Sequence, residues 1–175
     1  MKKIEANGGE VFSDPEEGAL KYRAPDGCMQ EIVGVGRYKL RERSPKARIV
    51  HLALKVDDLE KATKFYENAF GFKQLGTTPH GNHVSRHMTD GNLDLALMKW
   101  DRDDRDDAML AGAGPRIHHW GLEVADREAF ADVIRKHGGE ILSKPGAPTL
   151  RFRAPDRTVV EVVQPGRYDR PGAAH

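Results

Sequence analysis

The sequence predicts an α+β fold of tandem βαβββ modules, and three observations predict it. The pattern His-x-x-Leu-x-Val-x-Asp occurs twice, at residues 51–58 and 119–126. A segment of helical periodicity follows each copy, and short strand-like runs separated by turns follow each helix. Residues 8–38 match residues 138–168 at a constant offset of 130, with nearly half of the positions identical.

Each element has a local cause. Residues 48–58 alternate, so Val50, Leu52, Leu54 and Val56 share one face and His51, Ala53 and Lys55 the other. Residues 116–126 alternate likewise. Ile117, His119, Gly121 and Glu123 oppose His118, Trp120, Leu122 and Val124. Parity therefore pairs His51 with His119 and puts His118 on the helix-packing face. Asp58 caps a helix over 59–70, whose Leu59, Ala62, Phe65, Tyr66 and Ala69 form one stripe, and Gly71 stops it. Asp126 caps a helix over 127–137 with Phe130, Val133, Ile134 and His137 on one side, and Gly138 and Gly139 end it. Strands are expected near 74–76, 82–88 and 93–100, and again near 140–143, 150–154 and 158–164.

The offset-130 repeat makes the N-terminal 44 residues the back half of a further module, without its first strand or its His. The expected division is a partial module with the start of a linker over 1–44, a first complete module over 45–110, a second over 111–168 and a flexible tail over 169–175. Residues 39–46 are polar and contain a Pro, as a linker would.

Composition narrows the function. The formal net charge is +1 with no basic run, which argues against nucleic acid. Residues 101–107 mix both signs and read as a solvated loop. No apolar stretch reaches the roughly 18 residues of a membrane span. The start has no apolar core of a signal peptide. Cys28 is alone, which fits a reducing cytoplasm. Residues 112–115 are no phosphate loop, because no Lys-Ser/Thr follows at the required spacing. Trp100 and Trp120 read as core or cavity wall, and Asp156 as a turn residue.

Three residues carry the chemistry. Glu161 interrupts the apolar run 158–163, and burying an unpaired carboxylate costs several kcal/mol, so it should face water, a cation or a metal. If each module curls into half of an open barrel, His51, His119 and Glu161 meet. Two neutral imidazoles and one carboxylate leave coordination positions open, a set suited to Fe(II) and acceptable to Mn(II) or Zn(II). Taken singly, each of these residues is an ordinary strand residue; their matched positions in a repeat set them apart.

These residues, together with Phe65-Tyr66-x-x-x-Phe70-Gly71-Phe72 and Phe152-x-Ala-Pro155-Asp156-x-x-x-x-Glu161, resemble the vicinal oxygen chelate superfamily. That superfamily includes glyoxalase I, extradiol dioxygenases, fosfomycin-resistance proteins and bleomycin-binding proteins. The resemblance covers about residues 48–168 as two modules and 8–38 as a partial one. It implies a cupped mixed β-sheet with helices on the outside and metal ligands on the first and last strands. Aligning Asp90 with Asp156 sets Leu95 opposite Glu161, where glyoxalase I-like enzymes carry Glu. Three protein ligands resemble instead the extradiol dioxygenases and the fosfomycin-resistance enzymes; in the former a nearby His handles protons and a Tyr beside the ligand Glu assists. The implied function is a metal-dependent oxygenase acting on a small aromatic diol. A lyase, isomerase or transferase using another divalent metal, and a non-catalytic binding module, are the alternatives.

Two positions depart from the extradiol pattern. The Tyr position before Glu161 holds Phe152, and the expected proton-handling His falls at Arg105 or Asp106. His83 and His87, of one strand parity, are the substitutes, with His80 beside them; the bland reading of all three is surface loop histidines. The strand edges of the partial module are expected to pair with another chain, giving a homodimer. Glu31, the counterpart of Glu161, lacks a His from a first strand.

Overall fold

The computed structural model describes residues 1–13, 19–38 and 47–168. The expected linker and tail lie outside the described residues. Eight strands form one mixed sheet: β4 (Arg48–Lys55), β5 (Lys73–Pro79), β6 (His83–Thr89), β7 (Asp94–Trp100), β8 (Arg116–Glu123), β9 (Glu140–Ile141), β10 (Leu150–Arg153) and β11 (Val159–Val163). Their order is β5-β6-β7-β4-β8-β11-β10-β9. The two first strands, β4 and β8, are antiparallel at the centre. Each lies parallel to the last strand of its own unit, β4 to β7 and β8 to β11. The β-α-β-β-β order thus occurs twice about a central seam.

Helix α2 (Leu59–Phe70) begins where Asp58 accepts a 2.9 Å bond from the Lys61 amide and ends at Gly71, φ 76°. Only a residue at ease in the left-handed region fits that C-cap. Its Ala62, Phe65 and Tyr66 are buried beneath Leu54, Leu95 and Leu97 of the sheet. Helix α4 (Arg127–Lys136) is capped in the same way by Asp126. Its buried face differs from the expected one. Ala131 and Ile134 are buried, while Val133 and His137 face solvent. β5 runs past its expected end because it is an edge strand, whose outer side needs no apolar alternation.

The N-terminal residues form α1 (Lys2–Ala6) and a separate antiparallel sheet of β1 (Glu10–Val11), β2 (Ala19–Arg23) and β3 (Met29–Val33). This unit packs on the outside of α2. Ile4, Tyr22, Ala24 and Cys28 join Phe65 and Tyr66 in one apolar cluster. Polar groups close the contact: the Tyr66 hydroxyl donates to Asp26 Oδ2 at 2.7 Å and the Cys28 amide to Asp26 Oδ1 at 2.8 Å. The Gln30 amide donates to Tyr66 Oη, and Tyr22 donates to Gln30. At the offset of 130, Tyr22 and Gln30 answer Phe152 and Val160, so the front copy carries polar atoms where the rear copy is apolar.

Candidate metal centre

The sheet's inner face encloses a cavity of about 220 Å³ lined by strands from both units. His51 of β4, His119 of β8 and Glu161 of β11 are each 2% exposed. They offer ligand atoms all within 4.8 Å of one another, and the two Nε2 atoms stand 3.3 Å apart. Buried imidazoles and a carboxylate at such spacing are a fitting donor set for one divalent ion.

The main chain makes this convergence possible at Gly121. His51 and Gly121 are partners across the β4–β8 seam. A Cβ on residue 121 would lie 2.8 Å from the Cβ of His51. The glycine is the space into which the His51 side chain fits.

Each of the three candidate ligands is held from behind. His51 Nδ1 is 2.6 Å from Asp94 Oδ1, and His87 Nδ1 is 2.9 Å from Asp94 Oδ2. Burial would raise the Asp94 carboxyl, but bonds from the two histidines outweigh it and hold the group at about 2. Glu161 accepts a 2.5 Å bond from the Tyr168 hydroxyl, and Arg151 Nε lies 3.5 Å from its other oxygen. The Tyr168 ring also stacks on His51, 4.5 Å between centroids and 1° between planes. Burial first, then the Glu161 charge, pushes the Tyr168 hydroxyl far up, so it stays a donor. His119 Nδ1 is 2.7 Å from His118 Nδ1, and His118 Nε2 is 2.7 Å from the Asp107 carbonyl. Burial pushes His118 down, toward the neutral form that can accept from His119.

Several sequence expectations change here. His118 is not on the helix-packing face. A bulge between the Ala53–His119 and Leu54–Ile117 pairs inserts one residue into β8, so His118 turns inward beside His119 and lies 4.9 Å from the Trp100 ring. Leu95 is not the counterpart of Glu161. Glu161 pairs with Gly121, two residues after His119, and the equivalent partner of Ala53 is Ala96. The turn after Asp90 is one residue longer than that after Asp156, and a one-residue slip reverses strand faces. Leu95 lies in the helix-side core, whereas Ala96 lines the cavity. Phe152 packs beneath α4, and the tyrosine at the glutamate is Tyr168. The repeat held that signal: Tyr38 donates to Glu31 at 2.8 Å, with the same seven-residue separation.

His83 and His87 both line the cavity, four residues apart on β6. His87 sits level with Ala96, close to the ligands. His83 pairs with Trp100, stacks on it at 5.0 Å and on His80 at 4.2 Å, and is pushed down to about 4 by burial. The acidic loop is not wholly solvated. It leads into α3 (Asp106–Met109), and the Asp107 carboxylate accepts from Arg151 at 2.9 Å. Buried Lys55 pairs with Asp103 and donates to the carbonyls of Ala108 at 3.2 Å and Gly112 at 3.0 Å. Asp156 is exposed and accepts from the Thr158 amide, as a turn residue does. No helix among the described residues is long and apolar enough to cross a membrane.

A family model described as the Glyoxalase/Bleomycin resistance protein/Dioxygenase superfamily matches residues 48–161. Lactoylglutathione lyase of Neisseria meningitidis is 26% identical over 130 residues, which are 67% of this chain and 90% of that protein. Among solved structures, methylmalonyl-CoA epimerase from Mycobacterium tuberculosis superposes with a TM-score of 0.57 at 17% identity, over 72% of this chain and 94% of that one. BphC, a halotolerant catechol dioxygenase, superposes with a TM-score of 0.65 at 20% identity, over 93% of this chain and 61% of its own. At these identities the superpositions establish a shared fold.

Proposed function

Because the chain belongs to the Glyoxalase/Bleomycin resistance protein/Dioxygenase superfamily, we propose that it is a metal-dependent dioxygenase of the extradiol type, acting on a small aromatic diol. His51, His119 and Glu161 would hold the ion, Fe(II) in this reading, with Mn(II) or Zn(II) also compatible with the donors. The observation that carries the proposal is Ala96. An alanine faces the cavity where the internal symmetry would set a fourth ligand, so no fourth protein donor would compete with a substrate for the ion.

Bound there, the metal would supply Lewis acidity and a template for a bidentate substrate. The protein residues do the rest. His87 commits Nδ1 to Asp94, leaving Nε2 as the nitrogen that exchanges a proton with a diol hydroxyl. His83, kept neutral by burial, and Met98 form a wall against which a flat ring rests. A cavity of about 220 Å³ is smaller than the ~300–1,000 Å³ of drug-sized sites, which favours a single ring.

Anaerobically purified protein loaded with Fe(II) is expected to consume O₂ in step with loss of catechol. His119→Ala and Glu161→Ala are expected to abolish both uptake and iron retention. Turnover of a substrate without O₂ consumption, by protein carrying a metal other than iron, would overturn the oxygenase reading in favour of a lyase or isomerase. The lactoylglutathione lyase relative is the reason to run that control.

The same proposal includes a homodimer joined through the N-terminal sheet. β3 is an edge strand of that sheet, and Met29, Ile32 and Val35 are exposed along it and just beyond. Analytical ultracentrifugation is expected to give twice the chain mass, and Ile32→Lys to give the monomer. A monomeric parent protein at micromolar concentration would reject the dimer.

A further inference from the structure

Asp94 does something the ligand set alone does not require. It opens β7 directly opposite His51 in parallel register, and it is 6% exposed. His51 Nδ1 lies 2.6 Å from its Oδ1. His87, from the neighbouring strand β6, places Nδ1 3.0 Å from that same oxygen and 2.9 Å from Oδ2. One carboxylate therefore receives two imidazoles, from strands on either side of its own.

An ionised carboxylate only accepts hydrogen bonds, so each imidazole must carry its proton on Nδ1. A neutral imidazole protonated on Nδ1 has its lone pair on Nε2. For His51 that atom faces His119 Nε2 at 3.3 Å, where an ion would sit. His87 lines the same cavity.

The second unit arranges its histidine differently among the described residues. By the strand register the place of Asp94 is taken there by Val159, beside His119. His119 is oriented instead by a neutral neighbour, His118, at 2.7 Å. The two related ligands are thus anchored by different chemistry, and the anionic anchor stands on the side where the second cavity histidine also stands. An anchor needed for ligation alone would have no reason to reach His87.

We propose that Asp94 is a shared positioning residue, whose carboxylate fixes the Nδ1–H tautomer of His51 and His87 together and so presents a ligand nitrogen and a proton-accepting nitrogen to one cavity. This rests on the metal and proton roles proposed above for those two histidines, but its test needs neither turnover nor the native metal.

Long-range ¹H–¹⁵N NMR spectra of the metal-free protein report the tautomer of each imidazole. Both His51 and His87 are expected to be Nδ1–H in the parent protein. Asp94→Asn is isosteric but offers one accepting oxygen and one donating nitrogen. Both Nδ1–H groups lie within reach of Oδ1, so in this variant a neutral amide oxygen replaces the anion for both and each bond should weaken. Asp94→Ala should release both. Co(II), used as a spectroscopic probe, is expected to bind Asp94→Asn about 10–100-fold more weakly, the usual cost of removing an orienting partner. His87→Phe is expected to lower Co(II) affinity less than Asp94→Asn does, because His87 is not one of the three residues whose ligand atoms converge. A parent spectrum with either histidine in the Nε2–H form, or Asp94→Ala spectra with both tautomers intact, would overturn the proposal. Should Asp94→Ala fail to fold, the parent spectrum decides alone. If no diol is ever turned over while the tautomers behave as described, the oxygenase reading fails and the positioning role stands.

Discussion

Gly121→Val is expected to lose metal binding while keeping the secondary structure. The glycine lies across the central seam from His51, and a Cβ there would stand 2.8 Å from the His51 Cβ, 3.4 Å from Cγ and 3.3 Å from Cδ2. A Cβ is fixed to its strand and cannot swing aside as a long side chain can. Either the ring leaves its rotamer or β4 and β8 separate. Overpacking of this kind costs about 1–3 kcal/mol in stability. For binding, the displaced ring is a proposed ligand itself, so the loss should exceed the ~10–100-fold that follows disturbance of an outer partner. Isothermal titration with Co(II) or Zn(II), beside far-UV circular dichroism, checks both halves. Gly121→Ala should show the same effect at smaller size. Affinity unchanged in both variants would mean that His51 is not the ligand.

Stability should fall steeply as pH drops from about 6.5 toward 4, and His83 should carry much of the fall. Burial pushes His83 down to about 4 in the folded chain. In the unfolded chain it titrates near its ordinary ~6.5. Between those values the unfolded state binds more protons, so lowering the pH favours unfolding. That difference corresponds to roughly 3 kcal/mol, and partial exposure of the ring reduces it to about 2 kcal/mol. Against a typical total of ~5–15 kcal/mol this is a large effect. His80 and His118 are lowered by burial too and add in the same direction. Asp94 acts in another window: held down at about 2, it loses its contribution only as pH falls from about 3.8 toward 2. Urea melts from pH 7 to 4 should show the slope, and His83→Phe, which keeps a ring against Trp100, should flatten it by about 2 kcal/mol. An unchanged slope in that variant would move the acid sensitivity elsewhere.

How much was legible beforehand followed the range of the forces involved. Helix caps at Asp58 and Asp126, the left-handed stop at Gly71 and the alternation of 48–56 act within a few residues. They can be read along the chain. The match between 51–58 and 119–126 was equally legible, because a repeated module repeats its side-chain pattern. It sets His51 and His119 at equivalent strand positions, while Glu161 stands out as the carboxylate that breaks the apolar run 158–163. What failed was register across strands. The local pattern sets Leu95 where Ala96 stands and turns His118 to the other face, because one extra residue in a turn or a bulge is invisible to it. Tyr168 was overlooked because its contact with Glu161 depends on how the chain turns back after β11.

The sequence by itself determined the modules, their duplication and the identity of the three ligand candidates, since periodicity and repetition are properties of the chain. Only the tertiary structure decided which side chains stand behind those ligands: Asp94, His118 and Tyr168 reach them from a neighbouring strand, a bulge and the segment after the last strand. The physical reason is that a hydrogen bond is decided over about 3 Å, whereas one residue of strand advances about 3.3 Å and reverses the face its side chain occupies.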